Sequence, residues 1–186
     1  KGAAWVSLCH WSLGQSHATL LPLGDLCLSE HEARALFETM APYFLEDDIT
    51  LRYDRPDRWL AQGDCFRRCA SVSIERACRH VHNASTLVSL QPPVLQRLQS
   101  EMQMLLYQHP INEHRHSQGL AVVNAFHVSG CGAWEGVDTL CAQPQVSPTQ
   151  HALAAAVNAN DHSAWLSAWQ ALDETVFKEA LGLLDD

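Results

Sequence analysis

From Ala33 to Phe44 the apolar residues Ala33, Leu36, Phe37, Met40 and Phe44 fall on one side of a helix. From Leu95 to Leu106 the residues Leu95, Leu98, Met102, Leu105 and Leu106 do the same. A helix that is apolar on one side only must lie on another apolar surface, a sheet or a second helix. The runs around these helices supply the strands. Trp5 to Leu13 and His17 to Leu23 flank the turn residues Gly14-Gln15-Ser16 and read as a hairpin. Ile49, Leu51 and Tyr53 alternate with polar neighbours, and after Pro56-Asp57 the run Arg58 to Ala61 reads as the return strand of a second hairpin. Leu120 to Val128 is a compact apolar strand that Gly130-Cys131-Gly132 ends.

Strand pairs each followed by a helix, then a strand and more helices, predict an α+β fold with a mainly antiparallel sheet and helices packed on one face. Ser29-Glu30-His31-Glu32 is a capping box opening the first long helix, which runs to about Glu46 with Pro42 as a point of kinking. Pro92-Pro93 opens the second, which stops at His109-Pro110. Gly63 to Gln91 reads as a long irregular connection with a short helical turn within Ser73 to His80, and Trp134 to Thr149 reads as loop. His151 to Val157 and a last helix capped by Asp161 make a C-terminal helical hairpin. Residues 1–132 are thus expected to form the α+β domain, and 133–186 a loop and hairpin packed on it. The stripe Trp165, Trp169, Leu172 and Val176 reads first as core and otherwise as an anchor for a partner protein or for self-association.

The composition closes off several functions. Twelve Lys and Arg against 21 Asp and Glu leave a net charge of −9, with the Arg scattered, which argues against nucleic acid. No apolar run approaches the roughly 20 residues that span a bilayer, so no membrane partner is expected. With 47% hydrophobic and 18% charged residues the chain can bury a core. Seven cysteines at irregular spacings read as reduced thiols and a cytoplasmic protein. A first residue of Lys1 reads as a chain with something missing upstream.

Polar residues crowd one junction: His109, Asn112, Arg115, Gly119 and Asn124 span a helix end, a loop and the next strand. One reading is structural, in which Asn112 or Arg115 satisfies last-turn carbonyls and Gly119 takes positive φ. The other places Arg115, Asn112 and Asn124 around an anion, because a guanidinium fork matches phosphate or carboxylate. Arg58, in Arg55-Pro56-Asp57-Arg58-Trp59, is a secondary anion candidate against a surface ion-pair network. Cys65, Cys69, Cys78, His80 and His82 are residue types that zinc prefers, but without paired Cys-x2-Cys spacing no metal is assigned. His114 and His116 diverge on a helix. Cys131 near His127 or His109 is a nucleophile candidate without a third member, against a small residue in a tight Gly-x-Gly turn, so no catalytic residue and no cofactor are assigned.

The stretch Arg97 to Asn112, continuing through Arg115, Gly119 and Val123-Asn124-Ala125-Phe126 to Gly130-Cys131-Gly132, resembles the C-terminal part of a bacterial family of RpfE-type regulatory proteins, also described as cofactor-independent phosphoglycerate-mutase-like. His10-Trp11, the Leu28 to Phe44 helix and Arg58-Trp59 extend the resemblance over roughly Ala4 to Gly132. More distantly, His-Pro-x-Asn-x-x-Arg with the later Gly and Asn is similar to the inserted domain of archaeal cofactor-independent phosphoglycerate mutases, members of the alkaline phosphatase superfamily. The chain departs from the pattern at His127, where Trp is usual, and at Cys65 to His82. Mutases of that superfamily use a Ser nucleophile and two metals held by Asp and His, and no run here matches those motifs. The resemblance therefore implies a non-catalytic regulatory or ligand-binding protein whose anion site, for a phosphorylated small molecule, lies near Arg115, Asn112 and Asn124. One alternative is a fragment of a phosphoglycerate-mutase-like enzyme whose catalytic core lies upstream of Lys1. Another is an interaction module using the C-terminal Trp helix.

Overall fold

Alternation along the first strand, β1 (Gly2–Cys9), sends Ala4, Val6 and Leu8 into one apolar cluster and Cys9 into another on the opposite side, with Trp5 and Ser7 facing the same way as Cys9. The computed structural model describes residues 1–13, 18–21, 23–79, 91–133 and 148–182. The chain divides into two compact units, Lys1–Gly136 and Val137–Asp186.

In the first unit β1 is an inner strand of a four-stranded antiparallel sheet. It pairs on one side with β5 (Arg58–Gln62), which pairs with β4 (Thr50–Arg55), and on the other with β6 (Ala125–Ala133). The expected Ile49–Ala61 hairpin is the β4–β5 pair. Two long helices cover the face formed by Val6, Leu8, Trp59, Ala61, Phe126 and Val128: α2 (Glu30–Glu46) buries Ala33, Leu36, Met40 and Phe44, and α4 (Pro93–Tyr107) buries Leu95, Leu98, Met102 and Leu106. Phe37 stands edge-on to Trp59 at 5.1 Å, and Phe44 packs on Phe126 at 5.2 Å. The α+β architecture is as the stripes predict.

The capping box forms as expected: the Ser29 hydroxyl accepts the Glu32 N–H, and the Glu32 carboxylate accepts the Ser29 N–H at 2.9 Å. Four details differ from expectation. The first hairpin is shorter, because β1 ends at Cys9. Only β2 (Trp11–Leu13) and β3 (Ala18–Leu20) pair, as a separate two-stranded sheet, and the turn at Gly14-Gln15-Ser16 lies outside the described residues. The region after Gly63 is less irregular: Asp64–Arg68 is a 3-10 turn and Ile74–Arg79 is α3, which with Cys9 and Leu20 forms a small cluster through Ile74 and Ala77 on the second face of the sheet. Pro110 starts a helix rather than merely stopping one, occupying the first turn of α5 (Pro110–Ser117), where its missing N–H costs nothing. Finally, β6 begins at Ala125 and continues through Gly130-Cys131-Gly132. The short α1 (Leu23–Leu26) precedes α2.

The second unit contains α6 (Pro148–Asn158) and α7 (His162–Leu172), the latter capped by Asp161, whose carboxylate accepts the Ala164 N–H at 2.9 Å. A π-helical turn, Asp173–Phe177, leads into α8 (Lys178–Gly182). Ala156, Ala168 and Leu172 are buried, but Trp169 is 39% exposed and Val176 37%, so the expected core stripe is only partly core. No helix among the described residues is long and apolar enough to cross a membrane.

Leu36 is fully buried at the centre of the larger cluster. Leu36→Ala is expected to cost about 2–5 kcal/mol of stability, read as a lower urea midpoint at unchanged slope.

Candidate functional site

Segment Ala121–Asn124 enters β6 without strand-ladder partners, so its backbone groups must bond elsewhere. Side chains supply most of those bonds. The Arg115 Nε donates to the Ala121 carbonyl at 2.8 Å. His10 Nδ1 lies 2.8 Å from the Val122 carbonyl. The Asn112 carboxamide accepts the Val123 N–H at 2.8 Å and donates to the carbonyls of Val123 and Leu106 at 2.6 and 2.8 Å. Asn124 copies a strand neighbour, its Oδ1 accepting the Trp11 N–H at 2.7 Å and its Nδ2 donating to the Trp11 carbonyl at 2.9 Å. Gly119 supplies the positive φ, +70°, that turns the chain back from α5.

Arg115 is 1% exposed. Besides Ala121 it donates through Nη1 to Glu32 Oε1 at 2.9 Å and through Nη2 to the Leu26 carbonyl. Each guanidinium nitrogen therefore ends on an oxygen of the chain. His109 caps α5, its Nδ1 accepting the Ile111 N–H at 3.2 Å while Nε2 meets the Thr39 hydroxyl at 3.1 Å. Burial holds its pKa below the usual histidine range. A cavity of about 480 Å³ lies over this junction, lined among others by Asn112, Asn124, Glu113 and His116. Arg115 and His109 do not line it.

Arg58 is brought instead to the second face of the sheet. There a cavity of about 560 Å³ lies between Trp5 and Ser7 of β1, Arg58 of β5, Ser129 of β6 and the segment carrying Ser71, Ser73 and Glu75. Arg58 is held in place on two sides. Its guanidinium carbon sits 4.2 Å from the Trp5 ring centroid, and Nε and Nη2 both donate to Asp54 Oδ2, at 2.9 and 2.6 Å. Arg55, beside it, pairs with Asp57. The overlying segment is tied down by His127, whose Nε2 lies 3.0 Å from the Val72 carbonyl. His127, the departure from the resembling family, thus fastens one wall of the cleft.

The hydroxyls of the cleft are oriented by what they already accept. Ser71 Oγ accepts the Cys131 N–H at 3.1 Å and Ser73 Oγ the Arg76 N–H at 3.3 Å, which leaves each hydroxyl hydrogen to donate outward. Ser7 is 3% exposed, lines the cleft, and has no hydrogen-bond partner among the described residues. Trp5, Ser7, Ser71, Ser73 and Ser129 were missed in the sequence reading. The available signal was a serine and a tryptophan on the side of β1 opposite to Ala4, Val6 and Leu8.

Cys65 and Cys69 approach Cys131, whereas Cys78 packs on the Cys9 cluster, so the cysteines of the expected metal-type run separate. His80, His82 and Cys141 lie outside the described residues. Among the described residues no group of three or more Cys, His, Asp or Glu is placed to hold a metal.

No family model matches the chain, and no curated protein matches it. Among solved structures, a cofactor-independent phosphoglycerate mutase from Thermoplasma acidophilum DSM 1728 is similar with a TM-score of 0.44 at 10% identity, covering 72% of this chain and 37% of that one. The chain therefore spans little more than a third of that protein's length. A likeness of this depth settles no chemistry, and none of these comparisons reaches the RpfE-type family.

The Arg115–Glu32 pair generates a pH prediction. Partial burial raises the Glu32 pKa, but the Ser29 hydroxyl and N–H and the Arg115 guanidinium outweigh it and bring the pKa below the usual carboxylate value of 4.5. A depressed folded-state pKa contributes stability that is present above the unfolded value and lost as pH falls through the folded one. Unfolding midpoints should therefore drop below about pH 4.5, and Glu32→Gln should flatten that dependence. Arg115→Met should cost several kcal/mol, on the order of 3–5, at pH 7, because Glu32 and two carbonyls lose their donor.

Proposed function

We propose that the Lys1–Gly136 unit is a small-molecule-binding module of the non-catalytic, regulatory kind, and that its ligand carries a phosphate or carboxylate. The observation that carries this reading is Ser7, a residue 3% exposed whose hydroxyl has no partner among the described residues and opens into a cavity beside an arginine held on two sides. A hydroxyl that faces a cleft with its hydrogen-bonding capacity unspent is available to an acceptor on a bound molecule. Ser7, Ser71 and Ser73 offer donors, Arg58 retains an Nη1 with no partner among the described residues, and Trp5 gives an apolar wall. Such a surface selects an acceptor-rich, anionic head group on a small organic body. Glu75 also lines the cleft. Of the anion-site residues expected from the sequence, Arg58 belongs to this cleft; Arg115, Asn112, Asn124 and His109 serve the neighbouring junction.

The test is isothermal calorimetry with inorganic phosphate, 2-phosphoglycerate and 3-phosphoglycerate, with sulfate as control. Arg58→Ala and Ser7→Val should each weaken binding by roughly 10- to 100-fold, the loss of one charge-assisted or buried hydrogen bond, while Arg34→Ala, on the far exposed surface pair with Glu30, should leave it unchanged. Binding that survives Arg58→Ala and is lost in His116→Ala would move the site to the α5 cavity.

A further inference from the structure

We propose that Cys69 and Cys131 form a reversible dithiol–disulfide site that joins the end of the 3-10 turn to β6. The local geometry brings the two residues onto adjoining segments. On β1, Ala3 and Trp5 oppose Gly132 and Ser129 of β6, so Gly130 and Cys131 together face the single residue Ala4. That is a β-bulge, and Gly130 at φ +61° supplies the left-handed residue it needs. A Cβ at Gly130 would come within 3.3 Å of the Trp5 ring, which keeps the position small. Bulges re-aim side chains, and here the Cys131 N–H turns to Ser71 Oγ, 3.1 Å away, two residues past Cys69. Cys69 ends the 3-10 turn, its own N–H bonded back to Phe66 and its thiol donating to the Ala70 carbonyl at 3.5 Å, with the Cys131 thiol near enough to act on it electrostatically. Both thiols are unoxidised and half-buried against the main core, and Cys65 stands close enough to interact with each of them.

The chemistry is a two-electron exchange with a low-molecular-weight disulfide such as oxidised glutathione. One protein thiolate attacks a sulfur of the oxidant and displaces a thiolate, giving a mixed disulfide. The second protein thiolate attacks the protein sulfur of that bond and releases the second small thiol. One S–S bond breaks and one forms, the two thiol protons leave with the two small thiols, and the protein is oxidised as the oxidant is reduced. Burial, then the hydrogen bond and charge of Cys131, push the Cys69 thiol up to about 12, and burial with the Cys131 charge pushes Cys65 up to about 11. The thiolate fraction near neutral pH is small, so closure is slow and quickens with pH. A thiolate of high pKa is also a poor leaving group, so the closed bond reopens slowly. The bond would close a loop of about sixty residues that includes α3, α4 and α5 and the wall of the cleft that Ser71 and Ser73 form. This inference stands apart from the ligand reading above.

The test uses the full chain, reduced, freed of reductant and incubated with oxidised glutathione at pH 8. Intact mass is expected to show loss of two hydrogens, and peptide mapping a Cys69–Cys131 link that dithiothreitol reverses. The closed form should melt several degrees higher, because the unfolded chain is constrained. Cys131→Ser should abolish the link and leave a glutathione adduct, whereas Cys78→Ser should retain it. The mapping on the unaltered chain decides the matter even if a variant folds poorly. Only glutathione adducts, or a link from Cys65 in place of Cys69, would overturn the assignment.

Discussion

The guanidinium of Arg115 is the contact on which the first unit is organised. A buried arginine cannot shed its proton, so it must be given oxygens or expelled to water. Here three parts of the chain supply them: the last residue of α1 through Leu26, the first turn of α2 through Glu32, and the segment before β6 through Ala121. Glu32 serves two helices at once, since the carboxylate that caps α2 also neutralises a residue of α5. A cap of this kind ordinarily stabilises one helix end by about 1 kcal/mol. Tied to Arg115, it also fixes where α2 starts relative to α5, and so how α2 and α4 approach the sheet.

That arrangement explains the polar path into β6. Four successive residues, Ala121 to Asn124, lie outside the strand ladder, and of their backbone groups the Asn124 N–H reaches the Cys9 carbonyl at 3.2 Å. His10, Asn112, Arg115 and Asn124 take the place of the missing strand. One face of the sheet is apolar and covered by α2 and α4. The other changes from the apolar cluster around Cys9 and Ile74 to the polar cleft of Ser7, Arg58 and Ser129.

The fold was legible wherever a period or a cap carried the information. Ser29 and Glu32, the stripes of α2 and α4, the β4–β5 pair and Asp161 each declare a local structure with one solution. Ambiguity entered where one residue type serves two ends. Pro110 is compatible with a helix stop or a helix start, and the sequence does not say that His109 will cap the latter. Gly130-Cys131-Gly132 ends a strand or bulges it, depending on a partner strand more than a hundred residues away. The run Trp5 to Leu13 looks continuous in hydropathy, and only His10 and Asn124, distant in sequence, divide it. The polar crowd from His109 to Asn124 was visible as a crowd. Its work was not, because a guanidinium fork fits a carboxylate ligand and the chain's own carboxylate and carbonyls equally well.

A polar residue that the fold requires and one that a ligand requires differ in what is left after folding. Asn112 has its oxygen and its nitrogen engaged, Asn124 likewise, and each nitrogen of Arg115 meets an oxygen. An incoming anion would have to displace bonds already made in a buried site, and the chain groups released would then lose their partners. Ser7 is in the opposite condition. It lines the cleft at 3% exposure and has no hydrogen-bond partner among the described residues. Arg58 is fixed by Trp5 and Asp54 without being used up. Preorganised donors with capacity remaining are what binding a small anion demands, since the cost of ordering them has been met during folding. In this chain that condition is met in the cleft on the open face of the sheet rather than at the junction where the polar residues are most numerous.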